Sequence, residues 1–215
     1  ADLTISKANF RRMIQKFIKN RNSELQKSKL LIGASIFRAS SLVGTNKEHF
    51  LMGRQWLENI SSIVNFEGVP HSFSLLRGWE RAYPETTGYI LSTLTEGKYV
   101  FFERELSDFS QKIARWLRRV QNKDGSYNDL TGSSQTFDTA QIIIGFCHIH
   151  QSGVFDLYEE INRACLWLLH NQNNDGSFTN YSYHKRPHTY YSRVGAALIF
   201  AGKTIENDTF INAGI

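Results

Sequence analysis

Two carboxylic acids stand at corresponding places in this sequence, each directly before a segment of small and aliphatic residues. Glu85 and Asp138 are 53 residues apart, and the same interval leads on to Tyr191. Carboxyl groups that share one cavity can differ in pKa, because burial and mutual repulsion act on each differently. Such a pair suits proton transfer, so Glu85 and Asp138 are candidate catalytic residues. Helix capping by acids that precede threonine is the competing interpretation.

The stretch 181–193 holds a dense set of groups that could bind an anion and move a proton beside it. Arginine and lysine can neutralise the carboxylate of a uronate sugar, while tyrosine or histidine exchanges a proton with the neighbouring carbon. This chemistry fits epimerisation or β-elimination. An ordinary polar loop packed over helices is the alternative. The candidate catalytic residues here are His188, Tyr190 and Tyr191, and the candidate substrate-binding residues are Tyr183, Lys185, Arg186 and Arg193.

A second aromatic and basic stretch precedes Glu85. Trp79 and Tyr83 could stack on a sugar ring, and Arg77 could meet an acidic group of the substrate. Burial of the tryptophan in the core is an equal alternative. These three residues are further substrate-binding candidates.

The motif Cys147-His148-x-His150 has metal-binding residue types without the spacing of a zinc site. On a helix, positions 147 and 150 share a face that position 148 leaves. A second ligand cluster with zinc-site spacing is not evident in the sequence. We therefore predict no metal site and no cofactor.

A segment that occurs twice, 51 residues apart, indicates how these groups are positioned. The copies span 114–127 and 164–178. A repeat of this period is typical of a supersecondary unit stacked on copies of itself. The matching pairs are Trp116/Trp167, Gln121/Gln172, Asp124/Asp175, Gly125/Gly176, Ser126/Ser177 and Tyr127/Phe178.

Each copy has the pattern of an outer helix that ends in an Asp-Gly turn, followed by an apolar inner helix. We expect the aromatic residue after the turn to fold back onto the helix and the glutamine to cap backbone groups of a neighbouring repeat. Inner helices are predicted over Thr139–Ile149 and Val194–Ala201, with a third opening near Thr86. The turns are expected at one end of the hairpins and the starts of the inner helices at the other.

The pattern Gln-x-x-x-Gly-x-aromatic resembles the repeat of squalene-cyclase and prenyltransferase-type α/α toroids, and the stretch from Gly78 to Tyr89 resembles a bacterial branch associated with polysaccharide biosynthesis. The resemblance implies an all-α fold, an α/α toroid of helical hairpins. Such a toroid has about six hairpins; three are present, so we expect the N-terminal half of a six-hairpin barrel. The predicted division is a basic helical segment, 1–49, and three hairpin repeats, 50–215.

The resemblance and the candidate residues favour a carbohydrate-active protein of polysaccharide biosynthesis or modification, of the uronate epimerase or lyase type. One alternative is a terpenoid cyclase or prenyltransferase-like enzyme, although the sequence lacks the zinc ligands of protein prenyltransferases and the Asp-x-Asp-Asp proton donor of squalene-hopene cyclases. The other is a noncatalytic glycan-binding or scaffold module. The fold alone does not decide among them.

The distribution of charge and the number of cysteines limit the partners and the cellular compartment that the sequence suggests. Residues 1–40 carry nine Lys/Arg against two acids, which suits an anionic polymer or a membrane surface, although a solvated helix face is the main alternative. We expect no nucleic-acid partner, because no such motif is present. The expected partners are an acidic oligosaccharide or polysaccharide and either the rest of the barrel or a second copy. Two cysteines in apolar contexts favour a reducing cytoplasm.

Overall fold

The computed structural model describes residues 44–74, 76–101 and 107–215 and is mostly helical. The predicted all-α class is confirmed. Within these ranges, no helix has both the length and the apolar character needed to cross a bilayer. The elements are α1 (Asn46–Ser62), β1 (Phe73–Ser74), β2 (Gly78–Trp79), α2 (Pro84–Val100), α3 (Asp108–Val120), α4 (Thr136–Gln151), α5 (Tyr158–Asn171), α6 (Ser192–Thr204) and α7 (Asp208–Ala213).

The start of α1 bears on the predicted division of the chain. The basic residues of the segment 1–49 lie almost entirely outside the described residues. Thr45 Oγ1 accepts a hydrogen bond from the Glu48 N–H at 3.2 Å, and the Thr45 N–H donates to Glu48 Oε2 at 2.7 Å. This capping box starts α1 at Asn46. The predicted boundary between residues 49 and 50 therefore falls inside a helix.

Helices α2, α4 and α6 lie side by side and run in the same direction, with α4 in the middle. Where they begin, Tyr83, just before α2, contacts Asp138 of α4. Towards their other ends, His148 of α4 lies 3.4 Å from Glu96 of α2 and packs on Phe200 of α6, with ring centroids 5.0 Å apart. These three helices are the inner helices expected from the sequence.

Burial on most sides explains why α4, the middle inner helix, lacks a polar face. Most residues of α4 are buried, including Ile142, Ile143 and Phe146. Helices α3 and α5 pack on the inner helices through one buried stripe each, as amphipathic outer helices do. The predicted inner helices over Thr139–Ile149 and Val194–Ala201 are confirmed within the longer α4 and α6.

Thr87 of α2 and Thr139 of α4 make the same hydrogen bonds, so they mark equivalent positions of two repeats. Thr87 Oγ1 accepts from the N–H of Val69 at 3.0 Å, and Thr139 Oγ1 accepts from the N–H of Tyr127 at 3.0 Å. Each threonine hydroxyl also donates to the carbonyl four residues earlier, at 2.8 Å. Because these positions are 52 residues apart, the length of the structural repeat from α2 to α4 is 52 residues.

This interval corrects the predicted equivalence of Glu85 and Asp138. Fifty-two residues after Glu85 the chain has Phe137, and Asp138 is the next residue. The predicted interval of 53 residues paired two acids because of their residue type. The hydrogen bonds to the backbone instead pair the positions that are equivalent in the structure. One residue changes the direction of a helical side chain by about 100°. The two acids are therefore not repeats of one position, although both reach the same pocket.

The first Asp-Gly turn has the predicted roles. Gln121 Nε2 donates to the Gly125 carbonyl at 3.1 Å and to the Glu160 carbonyl, in the next outer helix, at 2.9 Å. Gly125 has a φ of +96°, in the left-handed region. Tyr127 folds back into the core and donates its hydroxyl to the Leu117 carbonyl at 3.1 Å. Both the capping glutamine and the buried aromatic residue are confirmed.

The second turn repeats the glutamine contacts, since Gln172 Nε2 donates to the carbonyls of Gly176 at 3.0 Å and Ala213 at 2.9 Å.

The expected placement of the turns, at the opposite end of the hairpins from the starts of the inner helices, is wrong. The Gln135 N–H donates to the Tyr127 carbonyl at 3.0 Å, so the first turn lies beside the start of α4. Consecutive antiparallel helices are joined at one end of their hairpin, which puts the turn after α3 and the start of α4 together.

Candidate functional site

An open pocket of about 440 Å³ lies where α2 and α4 begin and where the stretch 181–193 crosses them. Its lining is rich in carboxyl and phenol groups. Six residues proposed from the sequence line it: Glu85, Asp138, Tyr83, Tyr183, Tyr190 and Tyr191. Sequence reasoning missed the others: Asp129, Leu130, Thr131, Gln135 and Phe137. The structure thus brings both candidate acids and the tyrosines of two separate segments to one concave surface.

Asp138 is the buried carboxyl of this pocket, with 6% of its surface exposed. It lies in the first turn of α4, and the Tyr83 hydroxyl donates a hydrogen bond to its Oδ2. Burial raises the pKa of Asp138 to about 7; the Tyr83 hydrogen bond lowers it in part, and the charges of Glu85 and Asp129 raise it. A carboxyl group that titrates near neutral pH can both donate and accept a proton.

Glu85 faces the same pocket from the first turn of α2 and is partly buried. Burial raises the pKa of Glu85, and the neighbouring Tyr83 hydroxyl opposes this in part. Burial and the adjacent Asp138 raise the pKa of Tyr83 far above its ordinary value, so this phenol stays protonated. Tyr83 therefore acts as a hydrogen-bond donor beside two acids of raised pKa.

Asp129 is the third carboxyl group of the pocket and is held differently. Its Oδ1 accepts from the Thr131 N–H at 2.7 Å, the Thr131 hydroxyl at 2.6 Å and the Ser133 N–H at 3.0 Å, and its Oδ2 accepts from Gln135 Nε2 at 3.0 Å. Burial opposes ionisation, but these hydrogen bonds together hold the pKa of Asp129 below its ordinary value. Asp129 is thus a fixed negative charge that organises the loop 129–135.

Aromatic rings form one wall of the pocket. Tyr190 meets Phe137 almost perpendicularly, with ring centroids 5.0 Å apart, and lies 4.9 Å from Tyr191. Tyr191 is buried, and its hydroxyl accepts from the Tyr183 N–H at 3.2 Å. Burial raises the pKa of Tyr191. Tyr191 therefore fixes the loop, while the exposed Tyr183 and Tyr190 offer rings on which a sugar can stack.

Three other candidates from this stretch do not line the pocket. The Nε2 of His188 lies 2.8 Å from the Tyr183 carbonyl, and its ring stacks on Tyr190 with centroids 5.0 Å apart. His188 thus supports the loop and one tyrosine. Lys185 and Arg186 are exposed to solvent. Residue types alone could not reveal this, because the turn with left-handed φ angles at His184 and Lys185 decides where these side chains lie.

Arg193 lies outside the pocket lining, on the first turn of α6. Its Nε donates to Gln141 Oε1 at 3.1 Å, and its guanidinium carbon lies 5.1 Å from the centre of the Tyr89 ring. These three residues come from α6, α4 and α2, so they form a row across the inner helices. Sequence reasoning identified Arg193 but missed its two neighbours.

Arg77 and Trp79 lie on the hairpin formed by β1 and β2, outside the pocket lining. Arg77 Nε pairs with Glu80 Oε1 at 3.0 Å. The Trp79 ring packs edge-on against Trp56, at 5.8 Å, and against Phe73, at 5.1 Å. The tryptophan therefore belongs to an aromatic cluster with α1, and the structure does not bring it to the two acids.

The residues of the Cys147-His148-x-His150 motif have separate surroundings. Cys147 is buried and burial raises its pKa to about 12, whereas His148 faces Glu96. His150 Nδ1 accepts from the Leu157 N–H at 3.2 Å. In the part of the chain that the structure describes, no three His, Cys, Asp or Glu residues are grouped closely enough to hold a metal ion.

Comparison with protein-family models, curated proteins and solved structures finds no match to this chain. The chemistry of the pocket is therefore the evidence for its function.

Proposed function

We propose that this protein modifies a saccharide of a polysaccharide by proton transfer in the pocket at the start of α2 and α4. The observation that carries the proposal is Asp138, a buried carboxyl group with a pKa of about 7, which lines the same pocket as Glu85 and the exposed tyrosine rings. The rings offer stacking surfaces for a sugar, and the carboxyl pair offers proton donors and acceptors. Phenols and carboxyl groups also hydrogen-bond sugar hydroxyls.

The reaction type we propose is epimerisation or β-elimination of a uronate. In both reactions a base removes the C5 proton, which is acidic because the adjacent carboxylate can take up the electron pair. Return of a proton to the opposite face gives the epimer. Departure of the oxygen on C4, assisted by an acid, instead gives a C4–C5 double bond. Glu85 and Asp138 are the proposed base and acid, and Tyr83 keeps Asp138 oriented.

The test is incubation of the full chain with uronate polysaccharides in D2O. Epimerisation predicts deuterium at C5 in the product, and elimination predicts an ultraviolet-absorbing unsaturated uronate. Asp138→Asn should lower either signal by about a hundredfold or more. Asp108→Asn is the matched control, because Asp108 is an exposed first-turn acid of the outer helix α3. Equal activity of both variants, or no reaction with any uronate polymer, contradicts the proposal.

A noncatalytic glycan-binding module is the second candidate. The observation that favours it is the aromatic wall of Tyr190 and Phe137, with the exposed Tyr183 beside it, which would hold a sugar without any proton transfer. Saccharide binding that survives Asp138→Asn, with no product formed by the wild type, would support this reading. A cyclase acting on an isoprenoid shares the aromatic requirement, but the three carboxyl groups of the lining fit a hydroxyl-rich ligand better.

The proposal includes the architecture around the pocket. Among the described helices, α6 has the inner helix α4 on one flank and no inner helix on the other. A toroid in which further hairpins, or a second copy, cover that flank would extend the concave surface. We further propose a cytoplasmic location, which the two free, buried cysteines support.

A further inference from the structure

The row of Tyr89, Gln141 and Arg193 lies one helical turn beyond the two acids of the pocket. Tyr89 follows Glu85 by four residues on α2, and Gln141 follows Asp138 by three on α4. Residues at these spacings share a face of a helix, about 5 Å apart along its axis. Tyr89 and Gln141 therefore lie on the same helix faces as the two acids.

Arg193 is held in place but carries no counter-charge within the described ranges. Its Nε is fixed by Gln141 Oε1 at 3.1 Å, and its guanidinium lies over the Tyr89 ring. The ion pairs found in the described residues involve other basic groups. A guanidinium that is oriented by neutral groups keeps its remaining N–H donors available for a planar anion.

Gln141 supplies the second observation. Its side chain is 1% exposed, and its Nε2 is buried without a hydrogen-bond partner. A buried amide donor of this kind costs free energy unless something accepts from it. Oε1 of the same amide holds Arg193 Nε, so an anion bound to the guanidinium would lie beside an amide donor that has no other partner.

We propose that Arg193 and Gln141 form the subsite for the carboxylate of a uronate residue. This inference rests on the proposed saccharide function and adds the group that recognises the substrate's charge. The carboxylate of a uronate is bonded to C5, the carbon whose proton is removed. Holding the carboxylate at the row directs C5 towards Glu85 and Asp138, one turn away. The positive charge of Arg193 then stabilises the negative charge that develops on the carboxylate.

The experiment measures binding of paired probes by calorimetry. Oligomers of glucuronate, galacturonate and mannuronate are each compared with their carboxyl-reduced form, in which only the carboxylate is changed. The wild type should bind the carboxylated member of at least one pair more tightly. Arg193→Gln should weaken that binding by about tenfold to a hundredfold and leave the reduced form unaffected, as expected for a hydrogen-bonded charge.

Two further variants make the result specific. Lys203→Gln removes the same charge from the exposed far end of α6 and should bind as the wild type does. Gln141→Glu places a carboxylate on the guanidinium and should compete with the ligand, so its affinity should fall as well. Because Gln141 is buried, its variant is first checked by circular dichroism; Arg193 is exposed, so its variant tests the subsite even if Gln141→Glu fails to fold.

The outcomes separate the two proposals. If the wild type binds both members of every pair equally, or if Arg193→Gln keeps the preference for the carboxylated member, the subsite is wrong while the saccharide function stands. If neither member of any pair binds, both proposals are overturned.

Discussion

The hydroxyl of Tyr83 donates a hydrogen bond to Oδ2 of Asp138, and this contact joins the start of α2 to the start of α4. Tyr83 stays protonated because burial and the neighbouring acid raise its pKa. Asp138 titrates near neutral pH because burial raises its pKa to about 7. The packing of two inner helices is therefore coupled to the protonation of one carboxyl group.

Asp138→Asn should remove part of the pH dependence of stability. The folded pKa of Asp138 is about 7 and its ordinary value is 3.8, so the folded state binds this proton more tightly than the unfolded state does. The resulting stabilisation is complete below about pH 4 and is lost as the pH rises through about 7. Between pH 4 and pH 8, the free energy of unfolding in urea should fall further for the wild type than for Asp138→Asn, by on the order of a few kcal/mol.

The asparagine keeps an oxygen that can accept from Tyr83, so the comparison isolates the titration. Asp108→Asn, at an exposed position, should keep the wild-type pH dependence. Glu85 also has a raised pKa, so a smaller dependence of the same sign should persist in Asp138→Asn. If the free energy of unfolding falls equally between pH 4 and pH 8 in the wild type and Asp138→Asn, the raised pKa of Asp138 is contradicted.

The two repeat glycines should differ in their tolerance of alanine. Gly125 and Gly176 both have left-handed φ angles, +96° and +81°. A methyl group at position 125 would overlap the Arg163 carbonyl, whereas at position 176 the nearest neighbour is Gln172 Nε2 at 3.9 Å. Gly176→Ala should cost about 1–2 kcal/mol for the backbone conformation. Gly125→Ala should cost about 1–3 kcal/mol more for the overlap.

Chemical denaturation of both variants gives this comparison, and each glycine is the control for the other. Equal losses would contradict a close contact between Gly125 and the Arg163 carbonyl of α5.

The contrast between these glycines shows what the repeat could and could not predict. The turns, the capping glutamines and the buried aromatic residues follow from local chemistry that recurs at 51 residues, so they could be predicted from the sequence alone. The contact of Gly125 with Arg163 depends on how neighbouring hairpins pack. The same limit made the interval of 53 wrong by one residue, since side-chain type was matched and backbone register was not visible.

The candidate site was predictable to a similar degree. Glu85 and Asp138 stand where apolar segments begin in the sequence, and that pattern was enough to predict that both line one pocket. Asp129 was missed because its role depends on a loop whose hydrogen bonds have no periodic signal. Lys185 and Arg186 have suitable chemistry, but loop conformation leaves them in solvent.

The threonines at the starts of the inner helices should be equally important for stability. Thr139→Val removes the acceptor for the buried N–H of Tyr127, and Thr87→Val does the same for Val69. A buried donor left without its acceptor costs about 1–3 kcal/mol. Thermal and urea unfolding should show similar losses for both variants. Thr93→Val is the control, because Thr93 is exposed and bonds only within α2; a loss as large in this control would refute the role of the paired contacts.

Tyr83→Phe should raise the pKa of Asp138 above its wild-type value. The hydrogen bond from Tyr83 stabilises the carboxylate, so its removal favours the protonated acid, while the phenyl ring keeps the site buried. A titration of 13C-carboxyl-labelled aspartate measures this directly, with Asp138→Asn identifying the signal. If Asp138 acts as the acid in turnover, activity should fall as the pH rises past its pKa, and this fall should move to higher pH in Tyr83→Phe. Tyr158→Phe, on the exposed side of α5, should leave the titration unchanged. A pKa of Asp138 that stays constant or decreases in Tyr83→Phe would show that this hydrogen bond does not control its protonation.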